Sequence, residues 1–226
     1  MPFELAETWT QRSLQMQVVK DKCNEIINLL ELPETDARSQ GFIHVRQLCN
    51  TIALVGIKIM QQAEHKDNHA YIMHILRLQN EEGLLSFLND LSPNSKASFI
   101  TMVQFSFENC VEQTLCNIDG VGAQGGFSKG VRKILEVSGV EEPDRKHEII
   151  SVPSLIRNSL HLGGVHSRND KIIELGGEPY VFKRGGRVEC ASWSHVMYCI
   201  YSALKVYQEI FLSESIRAIP HVPVVD

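Results

Sequence analysis

The chain has no CxxC pair, and its six cysteines (Cys23, Cys49, Cys110, Cys116, Cys190, Cys199) are scattered along it. That spacing shows no clustered cysteine framework. Free cysteine in apolar helical surroundings behaves as a small hydrophobe, so Cys110 and Cys116 read as core. No run of about 18 uncharged apolar residues is present to span a membrane. The opening MPFELAETWTQ has neither the basic start nor the apolar run of an export signal. A cytoplasmic protein with no membrane association is the expectation. Positive charge is also short: the formal net charge is −5, which argues against coating nucleic acid through overall charge. Repeats, low-complexity tracts and evident linkers are missing too. A chain of 226 residues can bury one substantial core, so a single domain over 1–226 is expected.

What the sequence has is helical periodicity. Residues 4–31 place Trp9, Met16, Val19, Cys23, Ile26, Ile27 and Leu30 at helical spacing, and Pro33 stops the run. Residues 36–64 predict a long second helix striped by Leu48, Ile52, Val55 and Ile59. Leu54 and Ile57 thicken that stripe, which suggests a helix covered on several sides. Shorter helices are expected over 65–78 and 81–91. Ser92-Pro93-Asn94-Ser95 then offers a break with N-cap chemistry before a helix from Lys96 to about Asn117. A glycine-rich connector runs over 119–127, Ser128 can cap a short helix, and Gly139 suits its end. Glu141 to Asp144 read as a loop.

Residues 171–175 and 179–184 have strand composition, and the intervening Gly176-Gly177 is a hairpin signal. Ser192 to Ser213 carry the best helical pattern, and the tail with Pro220 and Pro223 should be extended. The fold class expected is therefore mainly α. It is a helical bundle with a small β-hairpin insertion, at about 171–190, before the last helix.

Chemistry concentrates after Pro153, which suits the first turn of a helix that Gly163 would end at about residue 162. On such a helix Arg157 and His161 lie on one face, with Cβ atoms about 5–6 Å apart. Arginine offers a permanently charged fork matched to phosphate oxygens, histidine exchanges a proton near neutral pH, and Asn158 adds a neutral donor and acceptor. These are minimal parts for cleaving a phosphodiester: a base for the ribose 2′-hydroxyl and a cation for charge growing on phosphate oxygens. The plain alternative is a histidine favoured by the helix dipole and an arginine paired with a carboxylate.

Residues 154–190 also lean basic, with Arg157, Arg168, Lys171, Lys183, Arg184 and Arg187 against Asp170, Glu174, Glu178 and Glu189. Arg168, Lys183, Arg184 and Arg187 are candidate RNA contacts, with Tyr180 and Phe182 as candidate stacking rings. A solvated hairpin face or a dimer contact is the competing reading.

Arg157-Asn158-Ser-Leu-His161, late in a chain of long helices and followed by Gly163-Gly164, resembles the signature of HEPN domains (higher eukaryotes and prokaryotes nucleotide-binding). The gap between Arg157 and His161 is one residue shorter than the family's usual spacing. The resemblance implies a helical bundle, a homodimer joining two such motifs, and metal-independent RNase activity of toxin or defence type. It implies His161 as general base or acid, Arg157 as phosphate ligand and Asn158 as the accompanying polar residue. RNA and an antitoxin or other regulatory protein are the partners implied; no metal or cofactor is. The alternative is a non-catalytic module of the same kind that binds a nucleotide, RNA or a partner protein.

Other motifs carry less. Gly120, Gly122 and Gly125 match G-x-G-x-x-G, but a helix precedes them where a dinucleotide site needs a strand. His65, Asp67, His69 and His74 do not complete a tetrahedral ligand set. No G-x-S-x-G elbow is present.

Overall fold

Thr8 opens the first helix, α1 (Trp9–Leu30), through a reciprocal box: its hydroxyl accepts from the Gln11 amide and the Gln11 side chain accepts from the Thr8 amide. The computed structural model describes residues 8–118, 120–122 and 124–224. Residues 4–7 of the expected first helix, Asp119 and Ala123 of the connector, and the last two tail residues lie outside them. After α1 come α2 (Ala37–Ala63), a 3-10 turn (Lys66–Asn68), α3 (His69–Leu76), α4 (Glu81–Cys116), α5 (Phe127–Ser138) and α6 (Pro143–His161). The hairpin β1 (Lys171–Leu175) and β2 (Glu178–Phe182) precedes α7 (Trp193–Leu212) and the short α8 (Glu214–Arg217). The fold is mainly α with a two-stranded hairpin before the last long helix. Among the described residues, no helix is long and apolar enough to cross a membrane.

Helix α7 carries the densest apolar pattern and becomes the hub, packing against α1 and α6. Tyr207 stacks on Phe107 of α4 at 4.1 Å between ring centroids, and Phe42 of α2 meets Phe107 edge-on at 5.4 Å. Trp193 meets Trp9 edge-on at 5.9 Å. Each ring taken from water contributes roughly 1.5–3 kcal/mol. This aromatic column holds α4 beside α7, and α4 and α7 both flank α6.

The hairpin pairs Lys171 with Phe182, Ile173 with Tyr180 and Leu175 with Glu178 in antiparallel register. Strand alternation sends Ile173, Leu175, Tyr180 and Phe182 into the core. Gly176 sits at φ +59, where a Cβ would lie 1.7 Å from the Tyr198 hydroxyl, so only glycine fits that turn. Arg145 of α6 donates to the Glu174 carbonyl and ties the hairpin to the helix.

At the other end, Asp36 and Arg38 are both 0% exposed. Arg38 gives Nε and Nη2 to the two Asp36 oxygens at 2.8 and 2.7 Å, and Nη1 to the Ile216 carbonyl at 2.8 Å. The Val222 amide donates to Asp36 at 3.1 Å, and the Val222 carbonyl accepts from Ala37 at 2.8 Å. The tail is thereby clamped onto the start of α2.

Several expectations are corrected. Helix α4 runs unbroken through Ser92-Pro93. Ser92 Oγ accepts from Trp193 Nε1 at 2.9 Å instead of turning back to cap a helix, and Lys96 donates to the Ala191 carbonyl. Those anchors offset the roughly 3 kcal/mol that an internal proline costs. Pro153 likewise lies inside α6, whose first turn is set by Pro143 and Asp144, so the loop expected at 141–144 ends earlier. Gly126 takes the N-cap position of α5, and Ser128 Oγ pairs with His147 Nε2 at 3.1 Å. Cys116 is exposed. Leu54 and Val55 are exposed because the buried positions of α2 end at Cys49, apart from Gly56.

Candidate active site

The last turns of α6 present the three residues singled out in the sequence. Gly163 and Gly164, both in the left-handed region, end the helix, and the Gly164 amide closes onto the Ser159 carbonyl at 2.8 Å. Arg157 is half-buried and donates through Nε and Nη2 to Asn158 Oδ1, at 3.1 and 2.7 Å. Among the described residues no carboxylate stands within ion-pair distance of it. Its only partner among the described residues, Asn158, is neutral. The guanidinium is positioned without its charge being cancelled, and one edge is left for an anion.

His161, one turn on, is exposed, and its Nε2 lies 3.3 Å from Thr101 Oγ1 of α4. Thr101 spends its one hydroxyl proton on the Ala97 carbonyl at 2.7 Å. The hydroxyl therefore accepts from His161, which fixes the Nε2–H tautomer and leaves Nδ1 as the free lone pair. Thr101 is the member that sequence reasoning missed. It is a polar residue on an ordinary helix, and nothing local marks it.

The chain leaving α6 is stitched to the turn beyond β2. Val165 bridges Arg187, the His166 amide donates to the Gly186 carbonyl at 3.0 Å, and the Gly185 amide donates to His166 at 2.7 Å. Arg187 is thus paired four residues past His161. Arg168, Lys183, Arg184 and Arg187 are all exposed, as a phosphate contact requires. The Arg184 amide is held by Asp170 at 2.7 Å. Tyr180 and Phe182 are corrected: both rings are fully buried, because strand alternation points them inward, so neither stacks on a base. His166 is buried, with Nε2 3.0 Å from the Asn169 carbonyl and its ring against Phe182, a structural role.

Exposed apolar side chains border the site: Met102 at 47% and Phe105 at 51% on α4 beside Thr101, and Leu162 at 53% directly after His161. A second basic region lies behind β2, in an open groove of about 480 Å³ that includes Lys183, Arg187 and His195. His195 Nδ1 is 2.7 Å from Ser192 Oγ. Burial lowers its pKa, Glu178 opposes this, and Lys96 adds to the lowering. His69 bonds back to the Ala63 carbonyl at 2.9 Å. Among the described residues no three His, Cys, Asp or Glu side chains are grouped to hold a metal ion. Comparison with family models, curated proteins and solved structures finds no match for this chain.

Proposed function

We propose that the chain is a HEPN-like, metal-independent endoribonuclease of toxin or defence type, acting as a homodimer. One observation carries the reading: Arg157, held by a neutral amide and, among the described residues, by no carboxylate, sits one turn from an exposed His161 whose tautomer is set by Thr101. His161 Nδ1 takes the ribose 2′-hydroxyl proton, and the 2′-oxygen attacks the adjacent phosphorus. Arg157 stabilises the charge that grows on the non-bridging oxygens. The P–O5′ bond breaks, the leaving oxygen is protonated, and the products are a 2′,3′-cyclic phosphate and a 5′-hydroxyl. Met102, Phe105 and Leu162 supply the apolar border along which a second copy would bring its own Arg157 and His161 alongside. Arg168, Lys183, Arg184 and Arg187 guide the RNA backbone past α6.

The second reading is a non-catalytic module that binds RNA, a nucleotide or a protein. The short Arg157–His161 gap favours it. Single-stranded RNA incubated with purified protein in EDTA separates the two readings. Cleavage that disappears in His161→Ala and Arg157→Ala supports the nuclease, and absence of cleavage by the unaltered protein favours the binding module.

A further inference from the structure

We infer that the groove behind the hairpin is a separate binding site for a nucleoside monophosphate. It is bounded by β2, the turn that follows it and the first turn of α7. Its volume of about 480 Å³ falls within the range of roughly 300–1,000 Å³ typical of small-ligand sites. The lining divides into three chemical zones.

Lys183 and Arg187 are exposed cations, and no ion pair holds either among the described residues. Two positive charges match a phosphate monoester dianion better than a carboxylate. Pro179 and Val181 make an apolar wall suited to the face of a base. Glu189 is an acceptor for ribose hydroxyls, and the same carboxylate disfavours a bare inorganic anion.

His195 completes the site with a positioned imidazole. Ser192 Oγ accepts the His195 amide at 3.2 Å and lies 2.7 Å from Nδ1, so Nδ1 is engaged and Nε2 is the ring nitrogen left to meet a ligand. The buried Tyr180 ring supports the imidazole edge-on at 5.5 Å between centroids, and its hydroxyl donates to the His195 carbonyl at 3.0 Å. The orientation of His195 is therefore built into the fold.

The site shares Lys183 and Arg187 with the RNA path but does not depend on cleavage at His161. The phosphate monoester could arrive as a free mononucleotide or as the phosphorylated end of an RNA strand. Calorimetric titration of the full chain with AMP, adenosine, inorganic phosphate, and a short RNA with or without a 5′-phosphate tests the site and distinguishes the sources. AMP should bind about tenfold more tightly than either adenosine or inorganic phosphate. The double substitution Lys183→Ala/Arg187→Ala should remove at least about tenfold of that affinity, and His195→Asn a smaller share, with thermal stability retained. His161→Ala should bind AMP unchanged, whether or not it cleaves RNA. A 5′-phosphorylated RNA that binds well above both AMP and the 5′-hydroxyl RNA identifies a strand end as the ligand; equal binding of AMP identifies a free nucleotide. If neither AMP nor 5′-phosphorylated RNA binds, or if the double variant binds them as the unaltered chain does, the assignment is overturned.

Discussion

Two arginines in this molecule have opposite fates. Arg38 is sealed from solvent and spends its guanidinium on both Asp36 oxygens and the Ile216 carbonyl. Arg157 is half-exposed, and among the described residues its only partner is the amide oxygen of its neighbour. A buried cation must be neutralised on the spot, because desolvation costs several kcal/mol per ion. A guanidinium at the surface next to a neutral acceptor keeps its field for something that arrives. The first arginine is structural by necessity, and the second is open for work.

The largest effect should come from breaking the sealed pair. Asp36→Asn leaves Arg38 buried with its countercharge gone, and should cost about 3–5 kcal/mol in a denaturant titration. Arg157→Ala should cost less than about 1 kcal/mol in the same measurement. If the two substitutions cost the same, the contrast is wrong.

Acid should sharpen the comparison next. Burial alone would raise the Asp36 pKa, but hydrogen bonds from the Arg38 side chain, the Val222 amide and the Arg38 amide, with the Arg38 charge, bring it below its ordinary value. Burial lowers the His147 pKa; Arg132 and Lys171 lower it further, against the Ser128 hydrogen bond and Asp144. Both groups hold fewer protons folded than unfolded, so both contributions are complete above the unfolded pKa values and lost as pH falls. Stability should decline below about pH 6.5 through His147, with a share from His195, whose pKa burial also lowers, and again below about pH 4 through Asp36. His147→Gln should reduce the first decline and leave the share of His195, whereas Arg157→Ala should leave both declines in place. A first decline of undiminished size in His147→Gln would reject this assignment.

A smaller effect is expected at Thr101. Thr101→Val removes the acceptor that sets the His161 tautomer, and RNA cleavage should slow about tenfold, less than in His161→Ala, with little change in melting temperature. An unchanged rate would show that His161 needs no such orientation. The smallest change is expected at Tyr207. Its buried hydroxyl shares a small cavity with Gln104 and Ser154, and among the described residues the side-chain oxygens of all three have no hydrogen-bond partner. Tyr207→Phe should therefore shift stability by no more than about 0.5 kcal/mol, in contrast to the saturated Arg38.

The helical pattern of α7 and the Gly176-Gly177 hairpin were legible because both are local signals, one of periodicity and one of turn chemistry. The continuity of α4 was hidden, since the bond that occupies Ser92 comes from Trp193, 101 residues away. Asp36 read as an ordinary helix start because the tail that buries it returns from 186 positions later. The same limit applied at the site. Arg157, Asn158 and His161 declared themselves within five residues, whereas Thr101 stands 60 positions earlier. Tyr180 and Phe182 looked available for stacking until the register turned both inward.

The central claim is that the open arginine and its histidine neighbour cleave RNA. Its most direct test is end-group analysis of single-stranded RNA incubated with the purified chain in EDTA, beside His161→Ala and Arg157→Ala proteins of matched melting temperature. The account predicts 2′,3′-cyclic phosphate and 5′-hydroxyl ends from the unaltered chain and intact RNA from both variants. Equal cleavage by all three proteins, or 5′-phosphate ends, would contradict it.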